Sequence, residues 1–298
     1  MAGTKEIKRR IRSVQNTSKI TYAMKLVSAA KLKKVQDAVT SSRTYSKELA
    51  SLLSRVNKAL GSESFSHPLR ESRAVINNIA IIVIGGQRGL CGGYNSGLNK
   101  RLEAEFKEIA TRTPAAKISL YVLGKKPAEY CRKVQRKCVK TFEELSENTA
   151  LWPLEELCVE IEQAFIAGTY DEVHLCFTRF QSAINTKPVC EKLFPLDGGV
   201  LNSGVKNETA SQSSAPVKFE PDVKAVLAAV LPRVARTQLR QAALDAKASE
   251  TGSRMTAMDA ATRNAKELNK KLQRSYNKLR QQGITSQLLD IIGGANAV

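Results

Sequence analysis

Five glycines in nine residues, Gly85, Gly86, Gly89, Gly92 and Gly93, separate an apolar run from a helix-like stretch, where a phosphate-cradling loop would lie. Their spacing reads G-x-x-G-x-x-G. A dinucleotide loop needs G-x-G-x-x-G, so that backbone amides reach the pyrophosphate, and an acid ending the next strand; this stretch meets neither condition. The expected role is a tight structural turn. Gly124-Lys125 lacks the upstream glycine and the hydroxyl residue of a P-loop, and no other stretch supplies one. His67 stands beside a loop proline, and His174, inside a strand-like run, reads as a satisfied core residue. The carboxylate pairs Glu103/Glu105 and Glu155/Glu156 read as helix surface. Six cysteines (Cys91, Cys131, Cys138, Cys158, Cys176, Cys190) lack CxxC spacing and read as reduced core residues of an intracellular protein. No catalytic, metal or cofactor constellation is expected.

Charge is the stronger signal. The formal net charge is +19: residues 1 to 60 carry 14 Lys and Arg against 3 acids, and residues 222 to 298 carry 13 against 6. Residues 61 to 221 are nearly balanced, with 20 against 19. Nine basic residues and no acid fall between Ile7 and Gln36, more than solubility requires, so an acidic partner is expected: nucleic acid, anionic lipid or an acidic protein surface. The longest apolar run, Ile79 to Ile84, is far short of the ~20 residues of a membrane span. The amino terminus lacks the apolar core of a signal peptide.

The charged ends are patterned as rods. From Met258 through Ala261, Ala265, Leu268, Leu272 and Tyr276 to Leu279, apolar residues recur at spacings of three and four, the seam of a coiled coil. A second stripe runs through Ile7, Ile11, Val14, Met24, Val27, Leu49, Leu52, Leu53, Val56 and Leu60. Pairing the two rods antiparallel buries both stripes without a second molecule. Between them, strands at Asn78 to Ile84, Ile118 to Leu123, Cys138 to Phe142 and Glu172 to Phe177 alternate with helices at Ser96 to Ile109, Lys126 to Arg132 and Leu154 to Ala167. A last strand around Pro188 to Phe194 adds an edge. The fold class is α/β: a long antiparallel coiled coil of the N- and C-terminal helices plus a Rossmann-like domain with a mostly parallel sheet. The expected division is a helix over 1–60, an α/β domain over 70–196, a flexible linker over 197–216 and a helix over 217–298. Pro232 and Gly252 lie inside the last rod, where a proline can cost ~3 kcal/mol or introduce a kink.

Three blocks carry a resemblance. They are K-I-T-Y-A-M-K-L-V-S-A-A-K from Lys19 to Lys31, R-G-L-C-G-G from Arg88 to Gly93, and S-R-M-T-A-M-D-A-A-T-R-N-A from Ser253 to Ala265. The third continues with Y-N-K-L-R-Q from Tyr276 to Gln281 and I-T-S-Q-L-L-D-I-I-G-G-A from Ile284 to Ala295. On these the chain resembles the gamma subunit of F-type ATP synthase along essentially its whole length. The resemblance implies a non-catalytic rotary shaft of the F1 sector, coupling proton flow to ATP synthesis by turning within a ring of three alpha and three beta subunits. It implies one such shaft per ring, an epsilon subunit and a membrane c-ring as further partners, no cofactor, no nucleic acid and no small-molecule substrate. Met24, Arg280, Gln281 and Thr285 match the positions at which gamma subunits meet the beta subunits. The location implied is peripheral, on the cytoplasmic face of a bacterial inner membrane, with the mitochondrial matrix or plastid stroma side as alternatives. Gln287, Gln282, Gly283 and Lys278 depart from the family's usual terminal signature.

Two other readings compete: a nucleic-acid-binding coiled-coil protein, motivated by the basic ends, and a Rossmann-type enzyme, motivated by the strand, glycine turn and helix. Scarce aromatics among the rod cations disfavour the first for single strands. Against the second, the broken glycine spacing predicts that residues 70 to 200 bind neither ATP nor NAD, which titration calorimetry of that segment checks.

Overall fold

A computed structural model describes residues 2–60, 67–196, 220 and 222–295. The expected linker at 197–216 lies outside the described residues. By its contacts the chain forms two compact units, one of Met1–Ala30 with Arg254–Val298 and the other Lys31–Ser253. Helices α1 (Ala2–Leu60) and α5 (Val223–Ala295) each contribute to both.

The larger unit is built on five strands, β1 (Asn78–Ile84), β2 (Lys117–Leu123), β3 (Lys140–Phe142), β4 (Glu172–Phe180) and β5 (Thr186–Phe194), in the order β3-β2-β1-β4-β5. The first four pair parallel, and β5 returns antiparallel on β4. Helices α2 (Tyr94–Arg112), α3 (Lys125–Lys133) and α4 (Leu154–Ile166) connect them. Central β1 shows why its sequence is continuously apolar. Its pleat sends Ala80, Ile82 and Ile84 into one core, with α4 and the nearby turns of α1 and α5, and Ile79, Ile81 and Val83 into another, with α2 and α3.

Helix α5 starts at Val223, where the Asp222 carboxylate accepts the Ala225 N–H at 2.6 Å. It runs unbroken through Pro232. Leu227, Val230, Leu231, Val234, Ala235 and Leu239 are buried around that proline, and at ~1.5–3 kcal/mol per buried large aliphatic side chain their packing outweighs the lost hydrogen bond. Gly252 also stays helical. A Cβ there would lie 3.3 Å from the Ala183 Cα in the β4–β5 turn, so the missing side chain lets that turn close on the helix.

Two local expectations change. Cys176 and Cys190, assigned above to the reduced cysteines, face each other in the β4–β5 register with Cα atoms 4.1 Å apart and form a disulfide. Strand alternation names the face of each cysteine but not its partner across the ladder. Glu105, expected at the surface, is buried, because α2 lies on the sheet with this face inward. It meets His174 Nδ1 at 2.7 Å, while Glu172 meets Nε2 at 3.1 Å. Arg101 pairs with Glu105, and Arg112 and Lys192 pair with Glu172, closing the network. His174 is the satisfied core residue expected.

Burial alone would lower the His174 pKa, but hydrogen bonds to Glu105 and Glu172 outweigh it and raise the value above 6.5. A raised folded-state pKa gives stability that is full below the unfolded value and is lost as pH rises through the folded one. Burial opposes ionisation of Glu172 too, but hydrogen bonds from His174 and Lys192 bring it down to about 2, so its contribution disappears as pH falls toward that value. The melting-temperature difference between wild type and His174→Gln should therefore shrink as pH is raised above neutrality, which calorimetry across pH checks. The packing of Gly124 against the glycine turn yields a second test. Gly124 has φ 111°, and a Cβ there would sit 2.6 Å from the Gly85 carbonyl oxygen, whereas one on Gly89 meets nothing within 4 Å. Gly124→Ala should cost ~2–4 kcal/mol in denaturant unfolding and Gly89→Ala under ~1 kcal/mol.

Candidate partner-binding surface

The glycine turn uses its polar backbone internally. The Gly85 N–H donates to Leu123 O at 2.9 Å, Lys126 N–H to Gly86 O at 3.0 Å and Tyr94 N–H to Cys91 O at 3.3 Å. These bonds fasten β1 to the start of α3 and close the entry to α2, as a structural turn does. A cleft of about 610 Å³ opens between α1, α5 and the β4–β5 ladder. Most of its charges are paired, Arg43 with Asp245, Arg179 with Glu191 and Lys192 with Glu172, and Lys47 also lines it. Neither place assembles a nucleophile with a base.

The other unit has an unusual surface. Its two helical segments run antiparallel, with Thr21 bonded to Thr262 at 2.8 Å and Lys25 to Asp259 at 2.6 Å. The Lys25 hydrogen bond holds the Asp259 carboxyl below its ordinary range. The contact face of α1 follows a 4-3 spacing, Ile7, Ile11, Val14, Ser18, Thr21, Lys25, Ser28, Leu32, and in its middle turns Thr21 and Ser28 are buried. Val27, expected in the seam, is 56% exposed, and Ile20, Tyr22 and Leu26 also face outward. On α5 the seam runs Met258, Thr262, Ala265, Asn269, Leu272, Tyr276; Leu268, expected in it, is 47% exposed. The pair is turned inside out over these turns, with hydroxyls between the helices and aliphatic side chains outside. Extending the spacing of Ile7, Ile11 and Val14 without regard to residue type finds the seam; selecting apolar residues misses it.

Beyond Tyr276, α5 is exposed on every described side. By the Thr21–Thr262 register, Arg280 is level with the first residues of α1, so the helix overhangs its partner to Ala295. Ile284, Leu288, Leu289, Ile291 and Ile292 are each at least half exposed along it. A stripe of this kind marks a surface that another molecule covers.

The four residues singled out from the sequence fall at two levels. Met24 is half-buried beside Lys25, opposite Asp259. Arg280, Gln281 and Thr285 are exposed on the overhang, with Gln281 and Thr285 one turn apart on one face. Twenty-one residues of α5 separate Asp259 from Arg280, on the order of 30 Å along the axis. The structure therefore does not bring Met24 and the Arg280 group into one site.

Comparison with known proteins gives a consistent result. The ATP synthase family profile matches residues 3–298. The ATP synthase gamma chain of Heliobacterium modesticaldum is 37% identical over 301 residues, and that of Moorella thermoacetica 39% over 298, each alignment spanning both chains in full. Among solved structures, a chain of the Euglena gracilis mitochondrial ATP synthase rotor covers 95% of this chain and 99% of its own, with a TM-score of 0.60 at 14% identity, which shows a shared fold. On sequence identity across its full length, the chain belongs to the ATP synthase gamma chain family.

Proposed function

We infer that this chain works as the non-catalytic central shaft of an F-type ATP synthase. The observation carrying the reading is the inside-out helical pair with its apolar overhang, a surface that needs a surrounding sleeve. One chain turns within a ring of three alpha and three beta subunits, and an epsilon subunit and the membrane c-ring engage it elsewhere. No helix is long and apolar enough to cross a membrane among the described residues, in keeping with a peripheral subunit. Our reading puts it on the cytoplasmic face of a bacterial inner membrane and divides the chain at 1–60, 70–196, 197–216 and 217–298.

The mechanism follows from asymmetry. Two unlike helices present a different face to each of three otherwise equal neighbours, so each beta subunit's conformational equilibrium is biased by the face it meets. Rotation moves the bias around the ring, and nucleotide affinity changes at the catalytic sites by the same free energy that turns the shaft. Met24, Arg280, Gln281 and Thr285 are our choice for the beta-subunit contacts. Arg280 suits a bidentate pair with a carboxylate, and Gln281 donates and accepts beside it. Because the contact breaks every turn, it should be modest, roughly 1–3 kcal/mol per hydrogen bond to a charged group.

Copurification with alpha, beta and epsilon subunits at one copy per three beta tests the assignment. Arg280→Glu should leave assembly intact and lower proton-driven ATP synthesis by about tenfold, the loss of one such bond. Wild-type synthesis and hydrolysis rates in membrane vesicles would remove Arg280 from the contact. Met24→Lys places a new cation beside a contact that must release, and should slow turnover and lower pumping per ATP in the same vesicles.

A further inference from the structure

One carboxylate of the sheet-bearing unit touches both long helices. Glu147 lies in the loop between β3 and the 3-10 turn Thr149–Leu151. Its Oε1 is 3.1 Å from Lys31 Nζ on α1 and 3.6 Å from an Arg88 guanidinium nitrogen in the glycine turn, and its Oε2 is 3.2 Å from Lys247 Nζ on α5. Three cations from three elements share two oxygens. The Lys247 side chain is 8% exposed and has one further acid, Glu250, at 3.8 Å. A buried ammonium depends on such partners, so the position of Glu147 is fixed by α5 as much as the reverse.

The loop that carries Glu147 is fastened on both sides. Trp152 Nε1 donates to Ser146 O at 2.8 Å, Asn148 N–H to Ser146 Oγ at 3.2 Å and Ala150 N–H to Asn148 Oδ1 at 3.1 Å. Upstream, the Gln87 amide donates to Glu143 O and accepts the Lys125 N–H at 3.0 Å. The carboxylate therefore moves with the sheet. Burial would raise its pKa, but hydrogen bonds and charge from Lys31 and Lys247 bring it down to about 2, so it stays ionised at any working pH.

The two helices differ in how firmly the sheet domain holds them. All residues of α5 from Ala242 to Gly252 are buried, and Tyr94 Oη and Ser249 Oγ add bonds to Ala246 O and Thr178 O. On α1 the next ion pair after Lys31, among the described residues, is that of Arg43 with Asp245, twelve residues or ~18 Å along the axis, where Arg43 also donates to Phe180 O and Leu49, Leu53 and Val56 then enter the core.

We propose that Glu147 is a positioning residue for rotation, locking α1 at Lys31 to α5 and the sheet domain in one angular register, so that torque enters α1 there instead of ~18 Å farther along at Arg43. This rests on the shaft reading. The test uses the assembled alpha-beta ring with this chain, a bead on a cysteine introduced at exposed Ile184, and the bead's angular variance during a catalytic dwell. Glu147→Gln should raise that variance roughly twofold, as expected when one of two load paths is lost. Glu147→Asp should fall between, and unloaded ATP hydrolysis should be unchanged. Arg236→Gln, which removes a pair between α5 and Glu155 of α4, should keep wild-type variance. Wild-type variance in a rotating Glu147→Gln complex overturns the proposal, as does an equal rise in Arg236→Gln, which would signify general loosening. If Glu147→Gln does not assemble, Lys31→Gln removes the α1 arm alone and is read in the same way. Failure of the wild-type complex to turn the bead would instead sink the shaft reading.

Discussion

A helix enclosed by its own chain on every side must carry short side chains all round, and α5 meets that constraint from Ala242 to Gly252. The run reads A-A-L-D-A-K-A-S-E-T-G, and each of its residues is buried. Five are alanine, serine or threonine and one is glycine beyond the opening alanine, so α1, the glycine turn, the loop bearing Glu147 and the β4–β5 turn can all close on it. Apart from Leu244, the larger residues are charged and individually answered: Asp245 by Arg43, Lys247 by Glu147 and Glu250, and Glu250 by the Arg88 N–H as well. Removing one partner would leave a buried charge, which costs several kcal/mol, so the enclosure specifies one rotational setting of the helix.

The same two helices meet the opposite condition in the other unit. There the seam holds Thr21, Ser28 and Thr262, while Ile20, Leu26 and Val27 face out. Burying hydroxyls that bond to each other, and exposing aliphatics, forfeits the usual drive for a coiled coil to form. That arrangement makes sense for a rod whose stability is completed by a surrounding surface. It also separates two demands on a shaft, a tight grip where the chain encloses the helix and a covered but releasable face where partners do.

Charge is divided along the sequence as well. Over residues 61 to 221 acids and bases are nearly balanced and much of the charge is paired, down to the buried His174, Glu105 and Glu172 group. The basic excess sits at the two ends of the sequence. A surplus of one sign on a rod costs self-repulsion and is useful against an acidic neighbour.

Local chemistry was enough to read much of this protein from its sequence. Strand and helix identities in the α/β domain followed from periodicity, because β1 is buried on both faces by its own pleat and α2 and α4 on one. The glycine turn, whose spacing departs from that of a nucleotide loop, bonds its own backbone as the expected structural turn does, and the family was legible in three blocks. What tertiary structure alone decided were matters of facing and pairing. Hydrophobicity placed Val27 and Leu268 in the seam, but the continuous spacing of α1 and α5 selects Ser28 and Asn269 there, because a helix pair in contact over many turns keeps its register whatever the side chain. Glu105 was read as surface since nothing local says which helix face meets a sheet. Cys176 found Cys190 only through strand register, and Pro232 stayed helical because long-range burial exceeds a local penalty. The separation of Met24 from Arg280 along the rod likewise needed the antiparallel register, which sequence spacing within either helix cannot supply.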